Sequence, residues 1–227
     1  MTALIFDVDG TLAETEELHR RAFNEAFAAE GLGWHWDEYR YKDLLAVTGG
    51  KERMHHFIER ETIALKEPAE SLVPRLHAAK TALYARAVEA GALDLRDGIL
   101  DLVTAAKAAG VRLAIATTTT RGNVEALLAN TPLGAAASFE VMVCGDEVRA
   151  KKPAPDVYRR ALELLALDAS QALAVEDTAN GLAAATAAGL RCVVVPSRYS
   201  RDEDFAGAEL VLERLGAPQA VLRLLTA

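Results

Sequence analysis

The chain has 227 residues, 51% of them apolar, and carries a formal charge of −8 at pH 7. That length suits one sizeable domain or a core with a small insert, and the composition allows a packed interior. The acidic balance speaks against nucleic-acid binding, and no run approaches the roughly 20 apolar residues that span a bilayer. The opening, Met1-Thr2-Ala3-Leu4-Ile5-Phe6-Asp7, lacks the basic stretch of a secretory signal, so a cytoplasmic protein is expected. Cys144 and Cys192 each lie in an apolar run and read as buried free thiols.

In chain order, the apolar run at residues 3–6 reads as a first strand. Residues 14–89 then show only helical patterns, at 16–30, 37–46, 51–64 and 74–90, with Trp34 and Trp36 expected to anchor the core of this helical unit. Strands return at 111–116, 139–143, 172–175, 192–195 and 209–212, alternating with helices at 98–109, 123–130, 156–167 and 180–188. Gly110 and Gly189 stand where two of these helices should stop. Strands this uniformly apolar belong to a sheet covered on both faces, and the alternation implies right-handed crossovers. The expected fold is α/β: a Rossmann-like doubly wound parallel sheet built from residues 1–14 and 89–227, with an α-helical cap, residues 15–88, inserted after the first strand.

Open α/β sheets bind ligands at the carboxyl ends of their strands. The first four strands lead, in chain order, into Asp7-Val8-Asp9-Gly10-Thr11, Thr117-Thr118-Thr119-Thr120, Lys151-Lys152-Pro153 and Glu176-Asp177. In this order the four segments resemble the four motifs of the haloacid-dehalogenase superfamily, and the resemblance runs the length of the chain. It implies that Asp7 is a nucleophile that displaces an alcohol from phosphorus, forming an aspartyl-phosphate that water then cleaves. Asp9, two residues on and pointing the same way along an extended chain, is implied as the general acid and base. Thr117 is implied to hydrogen-bond the phosphoryl group, with Thr118 supplying a further donor. Lys152, directly before Pro153, is implied to steady Asp7 and the transferring phosphate. Asp7 and the phosphoryl oxygens are both anionic, so a cation should lie between them. The resemblance implies Mg²⁺ on Asp7, the backbone carbonyl of Asp9, and Asp177, with Glu176 contributing through water.

The helical insert resembles the small cap of β-phosphoglucomutase-like members, and residues 7–24, 48–53 and 116–120 resemble the CbbY-type phosphatases more closely. That resemblance implies a monomeric enzyme acting on a sugar phosphate or bisphosphate, specifically xylulose-1,5-bisphosphate, a by-product that inhibits Rubisco in carbon fixation. The second phosphate of a bisphosphate calls for cations in the cap. Lys51 is the first candidate, next to Gly50, whose bare backbone permits close approach; Arg20 and Arg21 are next. Glu17 and His19 are candidates for sugar hydroxyls.

A phosphosugar mutase shares the aspartate pair and the cap, and is the alternative. Lys51-Glu52 stands where such a mutase is expected to carry Ser-Arg. A dehalogenase would need neither Asp9 nor a metal acid, and the complete residue set argues against a non-catalytic binding protein. Gly49-Gly50-Lys51 is not a nucleotide phosphate loop, because the leading glycine and the following Ser/Thr are missing.

Overall fold

The structure is a computed structural model describing residues 1–225, so the expected core segment 89–227 runs two residues beyond it. After strand β1 (Ala3–Phe6) come four helices in succession: α1 (Glu16–Ala29), α2 (Glu38–Leu44), α3 (Gly50–Arg60) and α4 (Ala69–Glu89). The chain then alternates: α5 (Ile99–Ala108), β2 (Arg112–Ala116), α6 (Arg121–Asn130), the short α7 (Leu133–Ala136), β3 (Val141–Val143), α8 (Asp156–Leu165), β4 (Ala172–Glu176), α9 (Ala179–Ala187), β5 (Arg191–Val194), β6 (Leu210–Val211) and α10 (Pro218–Arg223). The strands form one sheet in the order β3-β2-β1-β4-β5-β6, every neighbouring pair parallel. β1 lies at its centre, with Leu4 in register with Leu113 on one side and Leu173 on the other.

The period-2 geometry of a strand explains why β1 is apolar throughout. Leu4 and Phe6 point to one face, into a cluster with Ile99, Leu102, Val103, Val124 and Leu127 of α5 and α6. Ala3 and Ile5 point to the other, against Val157, Tyr158, Ala161 and Leu165 of α8 and Ala185 of α9. Burying each large side chain contributes roughly 1.5–3 kcal/mol. The double coverage gives the central strand a fixed position, and its carboxyl end is where the chemistry lies.

Helices α1 to α4 carry a third, separate cluster: Phe23, Phe27, Trp36, Tyr41, Met54, Phe57 and Leu76 are all buried there. Trp36 is central to it, and Trp34 sits half-buried, edge-on to Phe27 at 5.3 Å and to Phe57 at 5.6 Å. Tyr199, from the loop after β5, inserts into the same cluster. Some expected boundaries differ. The last cap helix begins at Ala69, five residues before the proline at which a start is predicted. Pro74 is solvent-facing, while Leu72, Val73 and Leu76 around it are buried, so packing carries the helix through a residue that interrupts its hydrogen bonding. Strand β3 is shorter than the expected 139–143, since Phe139 turns its ring onto Phe6 instead, at 6.2 Å. Cys144 and Cys192 are buried and free. Among the described residues no helix is long and apolar enough to cross a membrane.

Candidate active site

Because β2, β1 and β4 are adjacent, the segments leaving their carboxyl ends emerge side by side. The ladder hydrogen bonds continue one residue past the strands, Asp7 N–H to Val175 O and Thr117 N–H to Val143 O, both 3.0 Å, which holds the first residue of each segment rigidly. Lys152, delivered by the loop after β3, reaches across: its Nζ lies 2.6 Å from Asp7 Oδ1, 2.6 Å from Glu176 Oε1 and 2.9 Å from Ala116 O. Tyr158 donates its hydroxyl to the same Glu176 oxygen. Gly10, at φ +81°, completes the turn after Asp9; a Cβ there would collide with Asp177 Oδ2.

Asp7, Glu176 and Asp177 are all buried, and each offers a carboxylate oxygen within 4.8 Å of the others. Burial raises the Asp7 pKa to about 8, with Lys152 pulling it down and Glu176 and Asp9 pushing it up. Burial, then repulsion from Asp7 and Glu176, pushes Asp177 well above the usual carboxylate range. Three buried carboxylates with one lysine between them are under-neutralised. A divalent cation with oxygen ligands is the group that would restore the ionised forms of Asp7 and Asp177, and this donor set fits it.

The environment of Asp9 is different. Its Oδ1 accepts from Thr15 Oγ1 at 2.7 Å and lies 3.1 Å from His19 Nε2. His19 Nδ1 in turn lies 2.7 Å from Nζ of Lys80, which is buried on α4. An ammonium has no acceptor, so Lys80 donates to Nδ1 and the Nε2–H of His19 donates to Asp9. The imidazole is stacked on Tyr84, ring centroids 4.1 Å apart. Burial works against an ionised Asp9, but His19, Thr15 and Lys80 outweigh it and hold the carboxyl at about 2. The two aspartates of one motif thus have their proton affinities driven apart. A cavity of about 740 Å³ opens over both, walled by the strand ends below and by α1, α3 and α4 above.

Residues 1–189 match the sequence profile of the haloacid dehalogenase-like hydrolases. The chain is 53% identical over 220 residues to the protein CbbY of Rhodobacter capsulatus, covering 96% of this chain and 95% of that one. It is 51% identical over 212 residues to CbbY of Cereibacter sphaeroides, covering 93% and 91%. The crystal structure of a CbbY mutant from Rhodobacter sphaeroides, in complex with xylulose-(1,5)bisphosphate, superposes with a TM-score of 0.87 at 49% identity, covering 95% of this chain and 96% of that one. The chain belongs to the haloacid dehalogenase-like hydrolase family, in its CbbY branch.

In this family member the cavity brings together Asp7, Asp9, His19, Gly50, Lys51, Thr118, Lys152, Glu176 and Asp177. Thr117, expected at the phosphoryl group, is not among the lining residues: it is buried, with its Oγ1 accepting from the Thr119 N–H at 3.3 Å, which leaves its own O–H to donate. Glu176 has one oxygen taken by Lys152 and Tyr158, which leaves Oε2 to the carboxylate cluster.

Glu17, Arg20 and Arg21, expected at the substrate, are not among the lining residues. A helix turns about 100° per residue, so Glu16 and His19 share the cavity face while Glu17 and Arg20 share another. Glu17 accepts from Arg20 at 2.6 and 2.8 Å, from Arg21 at 2.9 Å and from the Tyr199 hydroxyl at 2.8 Å. Arg20 also donates to Trp36 O. The carboxylate ties α1 to the loop after β5 instead of facing the cavity.

Sequence reasoning passed over Thr15, Arg53, His77 and Lys80. One signal for Lys80 exists: it falls on the buried stripe Leu72, Val73, Leu76, Tyr84, where an unpaired lysine would not be stable.

Proposed function

We propose that this chain is a Mg²⁺-dependent phosphatase that hydrolyses a phosphorylated sugar, with xylulose-1,5-bisphosphate as its substrate, through an aspartyl-phosphate on Asp7. The observation that carries the reading is one cavity lined both by the Asp7–Lys152–Asp177 cluster and by further cations: Lys51 of α3, and Arg149 and Lys151 of the loop after β3, the last paired with Glu52. The bisphosphate held by the CbbY relative supports the same substrate class.

Asp7 is rigidly seated and can present the oxygen not taken by Lys152 to phosphorus. As the P–O bond to the sugar breaks, the leaving oxygen takes a proton from Asp9. Asp9 is ionised in the resting site, so its proton is acquired as the substrate's anionic phosphate approaches and raises its affinity. Once the alcohol has left, Asp9 is again a base and removes a proton from the water that cleaves the acyl phosphate. Lys152 balances charge on Asp7 throughout, and Thr117 and Thr118 supply donors to the phosphoryl oxygens. Asp7, Asp177 and the Asp9 carbonyl would hold Mg²⁺, with Glu176 behind them, and its charge would offset repulsion between Asp7 and the phosphate. In a cytoplasm that fixes carbon, the reaction clears an inhibitor of Rubisco.

The test is phosphate release from a panel of sugar mono- and bisphosphates, with and without Mg²⁺. Rapid release from xylulose-1,5-bisphosphate that stops on chelation is the expected result. Formation of an isomer without free phosphate would identify a mutase instead, and no release from any ester would end the proposal.

A further inference from the structure

Helix α4 directs His77, Lys80 and Tyr84 along one face, at i, i+3 and i+7. Lys80 and Tyr84 are engaged with His19. His77 lines the same cavity, yet among the described residues neither of its ring nitrogens has a hydrogen-bond partner. The ring lies against Gly50 at the start of α3, where a Cβ would stand 2.8 Å from its Nε2 and 3.2 Å from Phe23 Cζ. Any other residue at position 50 would therefore displace the imidazole from the cavity wall.

The charges around His77 define what it can bind. Lys80 is linked to Asp9 through His19, Lys51 lines the cavity next to Gly50, and Lys151 lines it while donating to Glu52. Burial first, then the fields of Lys80, Lys51 and Lys151, bring the His77 pKa down to about 4, with Glu52 pulling the other way. A phosphate is best held by cations or several donors, and Lys51 is the lysine of this lining that the cap supplies without an ion pair or hydrogen bond of its own among the described residues. A neutral imidazole offers one N–H and one lone pair, the complement of a hydroxyl.

We propose that His77 is a specificity-determining contact for the unphosphorylated, hydroxylated middle of a phosphorylated open-chain sugar, one ring nitrogen donating to a substrate oxygen and the other accepting from a hydroxyl. This rests on the phosphatase reading above. Lys51 is left to take phosphate, and His77 distinguishes a polyol chain from a plain alkyl one.

The experiment compares wild type, His77→Leu and His77→Gln on three substrates: xylulose-1,5-bisphosphate, 1,5-pentanediol bisphosphate, which has the same length without the hydroxyls, and p-nitrophenyl phosphate. His77→Leu should lower kcat/KM on the sugar about 10-fold or more, the size expected for leaving a buried polar group unpaired. It should leave the pentanediol ester and p-nitrophenyl phosphate within about twofold, and a melting temperature near that of wild type shows that the cap is intact. His77→Gln, which keeps a donor and an acceptor, should recover part of the loss. Equal losses on both bisphosphates, or no loss on the sugar, would overturn the assignment. Calorimetric binding of the sugar bisphosphate to Asp9→Asn, with and without His77→Leu, repeats the comparison without turnover. Failure of the hydrolytic reading and failure of the contact are thereby read separately: equal binding by the two proteins sinks the contact whatever the activity.

Discussion

Nζ of Lys80 stands 2.7 Å from Nδ1 of His19, whose other nitrogen lies 3.1 Å from Asp9 Oδ1. A buried ammonium on the last cap helix therefore sets the tautomer and the hydrogen bonding of the group that handles protons in the core. Burial, only partly offset by Asp9 and Glu16, lowers the Lys80 pKa to about 8. As pH rises past that value the ammonium is lost, and with it part of the hold on Asp9. The expected profile of kcat has a descending limb near pH 8 that Lys80→Met abolishes, together with a fall in kcat of about 100-fold at pH 7. An unchanged limb in the variant would separate Lys80 from the proton chemistry.

Asp7→Asn should leave no measurable turnover, because an amide cannot form the acyl phosphate. Asp9→Asn should behave differently: binding of a sugar bisphosphate persists in calorimetry while kcat falls by about 10²–10⁴-fold. Equal loss of binding in the two variants would contradict the division of labour between the aspartates.

Removal of divalent cations should make stability pH-dependent. In the metal-free site Asp7 has a pKa raised from 3.8 to about 8, with Asp177 raised in the same direction. Between those values the folded chain keeps a proton that the unfolded chain has released. Stability is therefore full below about 4 and declines as pH rises toward 8. Thermal melts in a chelator at about pH 5 and about pH 8 should show that decline, Mg²⁺ should reverse it, and Asp7→Asn should flatten it. A decline of wild-type size in Asp7→Asn would assign the effect elsewhere.

Lys51 faces the cavity and Arg21 does not. Lys51→Ala should raise KM for a bisphosphate about tenfold or more, with little effect on a small monophosphate. Arg21→Ala, which removes only an exposed ion pair to Glu17, should leave KM within about twofold and stability within about 1 kcal/mol. Steady-state kinetics on the two substrates checks both, and a large KM effect at Arg21 would mean that the cap presents a different face of α1 to substrate.

Much of this molecule is legible in its sequence. Asp7, Thr117 and Asp177 lie just beyond apolar strands of a parallel sheet and Lys152 in the loop after β3; strand ends converge at one rim wherever the strands are neighbours, and the resemblance to the four haloacid-dehalogenase motifs singles out these residues. The cap could be nominated because its 3.6-residue periodicity interrupts a strand–helix rhythm. These are local properties, carried by a few adjacent residues and the period at which they repeat.

Other features depend on how α1 and α4 pack and on where loops distant in sequence come to lie. Glu17 and His19 are two residues apart, yet one binds Tyr199 and the other Asp9, because a helix sends them to different faces and only its docking angle says which face meets the cavity. Lys80 meets His19 across 61 residues, and His77 meets Gly50 across the gap between two helices. Spacing along a chain specifies a side chain's direction relative to its own helix. Its partner is decided by burial summed over the whole cap, where Phe23, Trp36 and Leu76 lock the helices against one another.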